Sequence, residues 1–416
     1  MTGRRFFLLF VLVFGLSVQA SPPSYPLIVQ IPPTFDITNI VTALGGKIID
    51  TVPGAGTYLL RVTTVPPSWM VSLLGIQWIE LNEGATLPGF GEVGILPLPP
   101  NAAADWYKEQ PSLMMIRLGD ALPYSTGRGV VVADINSKVD VAHPALIGHL
   151  TTGYDFVADK PTGTAALNQS SASFMDQPPS FIDQSSASFM DRVFATFLDQ
   201  SSASFMDDNN PAYSHGTLCA GVIAEVAPDS MIMPLRVFND QGSADVFTIA
   251  KAIRYAVQQG AQIINMSYGT LNDSPTLQSA IKFALNKNVV VVASAGNKNT
   301  SVPQYPAAYN GVITVAATDL LDRKAPFSNY GGHVDVDAPG VNIFSAYPGG
   351  YYSVVSGTSF SAPAVAGTAA LIRSLHATGV PGYIAGAAIN IDSKNPNYAG
   401  QLGNGRIDVL RAVKPD

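Results

Sequence analysis

"VVVADINSKVDVAHPAL", residues 130–146, opens the part of the chain that sets its architecture. Val130 to Ala133 form an apolar run, as in a strand buried on both faces. The run ends on Asp134, where a strand would deliver a carboxylate to the edge of a site. Ile135 and Asn136 then stand where a strand-to-turn junction usually has a small residue and a glycine. Outward from this stretch, apolar runs at 129–133, 231–238, 262–266, 289–293 and 312–317 alternate with helical stretches at 245–258, 275–287 and 360–375. That order implies an α/β fold with a mainly parallel sheet covered on both faces.

The chain has 416 residues, 47% hydrophobic and 13% charged, enough for more than one domain with a large core. Its formal net charge is −7, and no basic cluster suggests a nucleic-acid surface. Arg4-Arg5, the apolar run Phe6 to Phe14 and the small-residue site Val18-Gln19-Ala20 read as an export signal over residues 1–20. A twin-arginine route ranks second, because the charged segment is short. No later stretch is long and apolar enough to be a membrane span. The single cysteine, Cys219, allows no internal disulfide, which leans towards a secreted bacterial protein.

Residues 21–86 carry a pattern of their own. Leu27 to Ile31 read as a strand. Ile37, Ile40, Val41 and Leu44 have helical spacing closed by Gly45-Gly46. Two strands flank a Pro-Gly-Ala-Gly turn, and a short helix near Trp69 and a strand at Gln77 to Leu81 follow. The order β-α-β-β-α-β predicts a small α+β, ferredoxin-like domain. A Pro/Gly-rich linker over 87–112 separates it from a second domain over 113–416. Within the latter, 168–207 repeats the unit SSASFMD, read as a surface insertion, with an exosite or a cation-binding array as sharper alternatives.

Three motifs can carry chemistry. "SGTSFSAPAVAG" (356–367) puts Ser359 where a turn enters a helix, so that its hydroxyl faces outward and its own N–H faces an approaching oxyanion. An N-cap serine is the commoner use of that position. "YSHGTLCAG" (213–221) puts His215 at a glycine-rich helix start, unlike the other four histidines. "VVASAGN" (291–297) ends a strand with Asn297, a good oxyanion donor or an ordinary turn asparagine. With Asp134, these residues lie at strand ends and helix starts of one parallel sheet, where open α/β sheets bind ligands. Neither the chain order Asp, His, Ser nor the context Gly-Thr-Ser-Phe-Ser fits the nucleophile-elbow hydrolases.

Taken together, the motifs resemble those of the subtilisin-like serine proteases, the subtilases. The resemblance rests on His215-Gly216-Thr217 with Ala220-Gly221, Asn265 to Gly269, Ala295-Gly296-Asn297, and Gly357-Thr358-Ser359 with Ala362-Pro363. It implies a subtilisin-like three-layer fold preceded by a propeptide that acts as chaperone and inhibitor. It implies Ser359 as nucleophile, His215 as base, Asp134 as the orienting acid, and Asn297 with the Ser359 N–H as oxyanion hole. Ser267, Tyr268 and Gly269 are expected to pair with an extended peptide substrate. Ser294, Ala295 and Gly296 are expected to wall a roomy, apolar pocket for the side chain before the cut. No cofactor is required for catalysis. The calcium loop that many subtilases carry after the histidine helix is missing here, so the sequence supports no metal ligands.

The chain departs from the family pattern after the acid. Asn136 replaces the family's glycine and is expected to tolerate a positive φ. Ser137-Lys138 then read as a small insertion before Val139-Asp140 and His143-Pro144, where the pattern resumes. Asp140 is a rival acid without a preceding apolar strand. Cys219, four residues after His215, is either a small buried hydrophobe or a free thiol under the histidine. The expected activity is that of a secreted serine endopeptidase made as a precursor. The alternatives are an inactive binding protein of the same fold, using its repeat insertion, and a peptidase that retains its N-terminal domain.

Overall fold

The computed structural model describes residues 24–88, 107–162 and 211–414. The expected export signal, most of the expected linker and the repeat segment lie outside the described residues.

The first unit comprises β1 (Tyr25–Gln30), α1 (Ile37–Ala43), β2 (Lys47–Val52), β3 (Thr57–Val62), α2 (Ser68–Leu73) and β4 (Trp78–Leu81). The four strands form an antiparallel sheet in the order β2-β3-β1-β4. Alternation along β1 divides its side chains. Leu27 and Val29 pack with Ile37, Ile40 and Leu60 in a core of their own, whereas Ile28, Val52 and Ala55 join a core shared with the larger unit. A short strand β5 (Gly84–Thr86) leaves this unit.

The second unit begins with α3 (Pro111–Met115) and α4 (Leu118–Ala121). Then follow β6 (Val131–Asn136), β7 (Gly153–Asp155), β8 (Lys160–Thr162), α5 (Pro211–Val226), β9 (Met231–Arg236), β10 (Ser243–Asp245), α6 (Val246–Gln258), β11 (Ile263–Met266), α7 (Pro275–Asn286) and β12 (Val290–Ser294). The chain continues through β13 (Val312–Thr318), β14 (Val336–Pro339), β15 (Ile343–Tyr347), β16 (Tyr351–Val355), α8 (Thr358–Leu375), α9 (Val380–Ala387) and α10 (Val409–Val413). The central sheet has eight strands in the order β14-β13-β12-β11-β6-β9-β7-β8, parallel except for the β7–β8 pair.

Its strands are apolar on both faces because helices cover both. Val132, Ile263, Val292 and Val315 pack with α5 and α8, while Ala133, Ile135, Ile264, Val291 and Ala293 pack with α6 and α7. The two outer helices start where their sequences dictate. Asp245 accepts from Thr248 N–H at 2.9 Å, and Ser274 accepts from Leu277 N–H at 3.1 Å with Pro275 next in line. From β6 the chain builds one side of the sheet with β7, β8 and β9, then crosses to β11 on the other. The carboxyl ends of β6 and β11 therefore flank a topological switch point, where open parallel sheets place ligand sites.

Candidate active site

β6 and β11 run in register with Asn265 beside Asp134. Residues two apart on a strand share a face, so Asp134 and Asn136 point the same way. Both are fully buried. Asn265 Nδ2 donates to the Asp134 carboxylate at 2.8 Å and lies 3.0 Å from Ser267 Oγ. Asn136 Nδ2 lies 3.3 Å from each Asp134 carboxylate oxygen.

α5 brings His215 to this pair. Its close approach depends on Gly216, where a Cβ would lie 2.6 Å from the Ser137 carbonyl oxygen and 2.8 Å from that of Lys138. Two hydrogen bonds fix the contact: Gly216 N–H donates to Ser137 Oγ at 3.0 Å, and Asp140 N–H to Thr217 Oγ1 at 2.9 Å. His215 Nδ1 consequently sits 2.7 Å from Asn136 Oδ1. The sequence reading gave that contact to Asp134; the geometry gives it to Asn136, with the Asp134 carboxylate behind the amide. β6 continues past Asp134, pairing Ile135 with Leu235 and Asn136 with Arg236. Ser137-Lys138 are thus the turn itself rather than an insertion. Asn136 is strand backbone and is not among the residues with positive φ. Counted back from Val139-Asp140 without a gap, the family pattern puts Asn136 at the position of the acid. Asp140 instead anchors loops, its carboxylate accepting from Ala142 and Gly349 N–H.

Ser359 lies in the first turn of α8 and is buried. Its hydroxyl donates to the Ser267 carbonyl oxygen at 3.1 Å. Pro363, four residues on, has no N–H for the Ser359 carbonyl. The Cys219 thiol donates to that carbonyl at 3.4 Å, and its sulfur lies 3.7 Å from His215 Nδ1. Cys219 is therefore both things the sequence allowed, a buried small side chain and a thiol beneath the histidine.

Asn297 Oδ1 accepts from the Thr358 N–H at 2.9 Å and from its hydroxyl at 2.8 Å. With the oxygen so held, the amide nitrogen is turned towards Gly357, 3.3 Å from where a Cβ there would be. It lies beside the helix start that carries Ser359. Ser267, Tyr268 and Gly269 follow β11, but the Tyr268 ring is buried against Phe238, so only the backbone of that residue can meet a ligand. Gly269 forms an antiparallel bridge with Thr86. Ser294, Ala295 and Gly296 close β12, held by Asn329, which donates to the Ala295 carbonyl oxygen at 2.8 Å and whose N–H donates to that of Gly296 at 2.9 Å. Gly296 needs to be glycine, having φ of +106°.

Sequence reasoning missed Gln304. Its Oε1 is 2.4 Å from a Cβ built on Gly296 and 2.8 Å from one on Gly269. The side chain lies between the segment expected to wall the specificity pocket and the segment expected to pair with substrate, making the space there smaller and more polar than the sequence suggested.

Burial governs the charges. The Asp134 carboxyl is pushed up to about 7, against the hydrogen bonds from Asn265 and Asn136. The His215 imidazole is pushed down to about 3, also by burial. The Cys219 thiol is raised well above its usual range by burial and by Asp134, so it is not a thiolate at neutral pH. His143 has a structural role: Nε2 meets the Tyr351 carbonyl oxygen at 2.7 Å and Nδ1 accepts from Ala145 N–H at 3.0 Å. Among the described residues no group of three or more His, Cys, Asp or Glu is arranged to hold a metal ion. Among them, too, no helix is long and apolar enough to cross a membrane.

The family model of the subtilase family matches residues 127–404. Thermitase of Thermoactinomyces vulgaris is 33% identical over 313 residues, covering 72% of this chain and 94% of its own. A thermophilic serine proteinase of a Bacillus species is 38% identical over 256 residues, covering 59% of this chain and 52% of its own. The structure of fervidolysin from Fervidobacterium pennivorans, a keratinolytic enzyme related to subtilisin, superposes with a TM-score of 0.69 at 23% identity, covering 96% of this chain and 62% of that one. At that identity the superposition speaks for the fold. Family match, relatives and fold agree: the chain belongs to the subtilase family of serine endopeptidases.

Proposed function

We propose that the chain is a secreted serine endopeptidase, made as a precursor, that cuts extended peptides through Ser359 and His215, with Asn136 against the imidazole where the family has a carboxylate. The observation that carries this reading is the convergence of the Ser359 helix start, His215 and the Asn297 amide at the sheet's switch point. In the reaction Ser359 Oγ turns from the Ser267 carbonyl to His215, gives its proton to Nε2 and bonds to the substrate carbonyl carbon. The Asn297 amide and the Ser359 N–H hold the oxyanion. His215 then protonates the leaving amine as the C–N bond breaks, and water repeats the sequence on the acyl-enzyme.

The N-terminal unit is read as this protease's own inhibitor. β5 pairs antiparallel with β10, and Thr86 bridges to Gly269, so its last segment runs as an added strand along the expected substrate edge. Leu87 N–H donates to the Gly242 carbonyl oxygen at 2.9 Å. Glu80 accepts from Thr276 N–H at 2.8 Å and Asn82 from Phe247 N–H at 3.0 Å, docking polar side chains on the starts of α7 and α6.

The test is labelling of the purified protein with a fluorophosphonate beside Ser359→Ala. Labelling lost in the variant supports the reading. A folded protein that takes no label after its N-terminal unit is cleaved off would favour the binding-protein alternative.

A further inference from the structure

An amide beside a catalytic histidine has two edges, and only one is useful. If its NH2 faces Nδ1, the imidazole must carry its proton on Nε2 and cannot accept one from serine. Replacing the acid of such a triad by its amide costs about 10⁴-fold in turnover for that reason. Building on the function proposed above, we infer that Asp134 is a positioning residue whose buried carboxylate turns the Asn136 amide so that its oxygen, not its NH2, faces His215.

The network around Asn136 admits one orientation. Oδ1 lies 2.7 Å from His215 Nδ1 and accepts from Ser137 N–H at 2.8 Å. Nδ2 lies between the two Asp134 oxygens, 3.3 Å from each. Turning the amide over would set NH2 against the Ser137 N–H and an oxygen against an anion, donor on donor and acceptor on acceptor. Asp134 cannot swing away, because Asn265 Nδ2 holds it at 2.8 Å from the neighbouring strand. With a carbonyl facing Nδ1, the proton belongs on Nδ1 and Nε2 remains the base. The negative charge has moved one side chain back from the histidine rather than disappearing.

This lock depends on ionisation. Above about pH 7 Asp134 only accepts; below it, the acid carries a proton and no longer forbids the turned amide. The other titratable groups around it are His215 and Cys219 on α5 and Tyr268 after β11. Burial keeps the imidazole neutral and the thiol and phenol protonated near pH 7. Arg236, the charged residue at this end of β9, is engaged by Asp155 at 3.0 Å.

Two arms test the inference on the full-length protein. Nitrogen-15 NMR of histidine-labelled wild type should show His215 protonated on Nδ1 at pH 8; a proton on Nε2 would overturn the inference, with no variant needed. In the second arm, fluorophosphonate labelling rates are compared for Asp134→Asn, Asn136→Asp and the double variant. With Asn136 present, loss of Asp134 should slow labelling by between about 10-fold and the ~10⁴-fold of a wrong tautomer. In the Asn136→Asp background the same change should cost less than about threefold, because a carboxylate has no wrong edge. Equal losses in both backgrounds would make Asp134 merely structural. The wild-type rate should also fall as pH drops through about 7. Labelling that survives Ser359→Ala would remove the peptidase reading and leave the tautomer to the NMR arm.

Discussion

In the proposed reaction, protonating His215 creates a cation 2.7 Å from a neutral amide oxygen, in a site where burial already holds the imidazole at about 3. A carboxylate there would stabilise that cation directly; Asn136 cannot. Cys219 bears on the same ring. A mercurial that reaches its sulfur, 3.7 Å from Nδ1, inserts a heavy atom beneath the imidazole and beside the Ser359 carbonyl. Mercury should abolish labelling of the wild type, whereas Cys219→Ala should label at a similar rate with or without it. A wild type indifferent to mercury would show that the thiol is sealed off. Ser359, His215 and Asn297 stood out as candidates at this scale because each stands in a dense local motif. The identity of the group facing Nδ1 was not. Asp134 and Asn136 share a face of one strand, reading Ser137-Lys138 as an insertion favoured Asp134, and the register against β9 with the Gly216 contact brings Asn136 to the histidine.

Elements were legible where local chemistry marks them. α6 and α7 begin at Asp245 and at Ser274-Pro275, within a residue of the expected bounds. The central strands follow their apolar runs. The short strands β7 and β8 have three residues each, too few to show a period of two, and β15–β16 is a local hairpin in which Tyr347 faces Tyr351. The N-termini of α6 and α7 also give the N-terminal unit its hold. Glu80 takes both the Thr276 N–H and the Ser274 hydroxyl. Charge-assisted bonds of this kind contribute about 1.5–3 kcal/mol. Glu80→Gln should therefore loosen the unit by about tenfold or more, seen as faster labelling of the uncleaved chain. An unchanged rate would mean that the β5 pairing, Asn82 and the shared apolar core hold the unit without Glu80.

At the scale of the whole molecule, the sheet order explains why residues far apart in sequence meet. Crossing from β9 to β11 leaves β6 at the centre, with α5 and α8 packed against each other on one face. Gly367 of α8 makes that packing close, since a Cβ there would lie 2.7 Å from Val226. The parallel α/β class followed from strand–helix alternation. The antiparallel N-terminal sheet followed from its own periodicity. The strand order did not, because alternation fixes neither the crossover point nor which strand is central. The crossover is what places Asn265 beside Asp134 and Ser267 beside Ser359.

Which side chain serves the histidine decides the chemistry of this site. The most direct measurement is the fluorophosphonate labelling rate of Asn136→Asp against wild type at pH 8, with Asp134→Asn and Ser359→Ala alongside. If Asn136 holds the place of the acid, restoring a carboxylate there should raise the rate by at least about tenfold, within the ~10⁴ ceiling for an acid-to-amide exchange. If Asn136→Asp is no faster than wild type while Asp134→Asn is as inert as Ser359→Ala, then Asp134 is the working acid and the assignment of Asn136 is wrong.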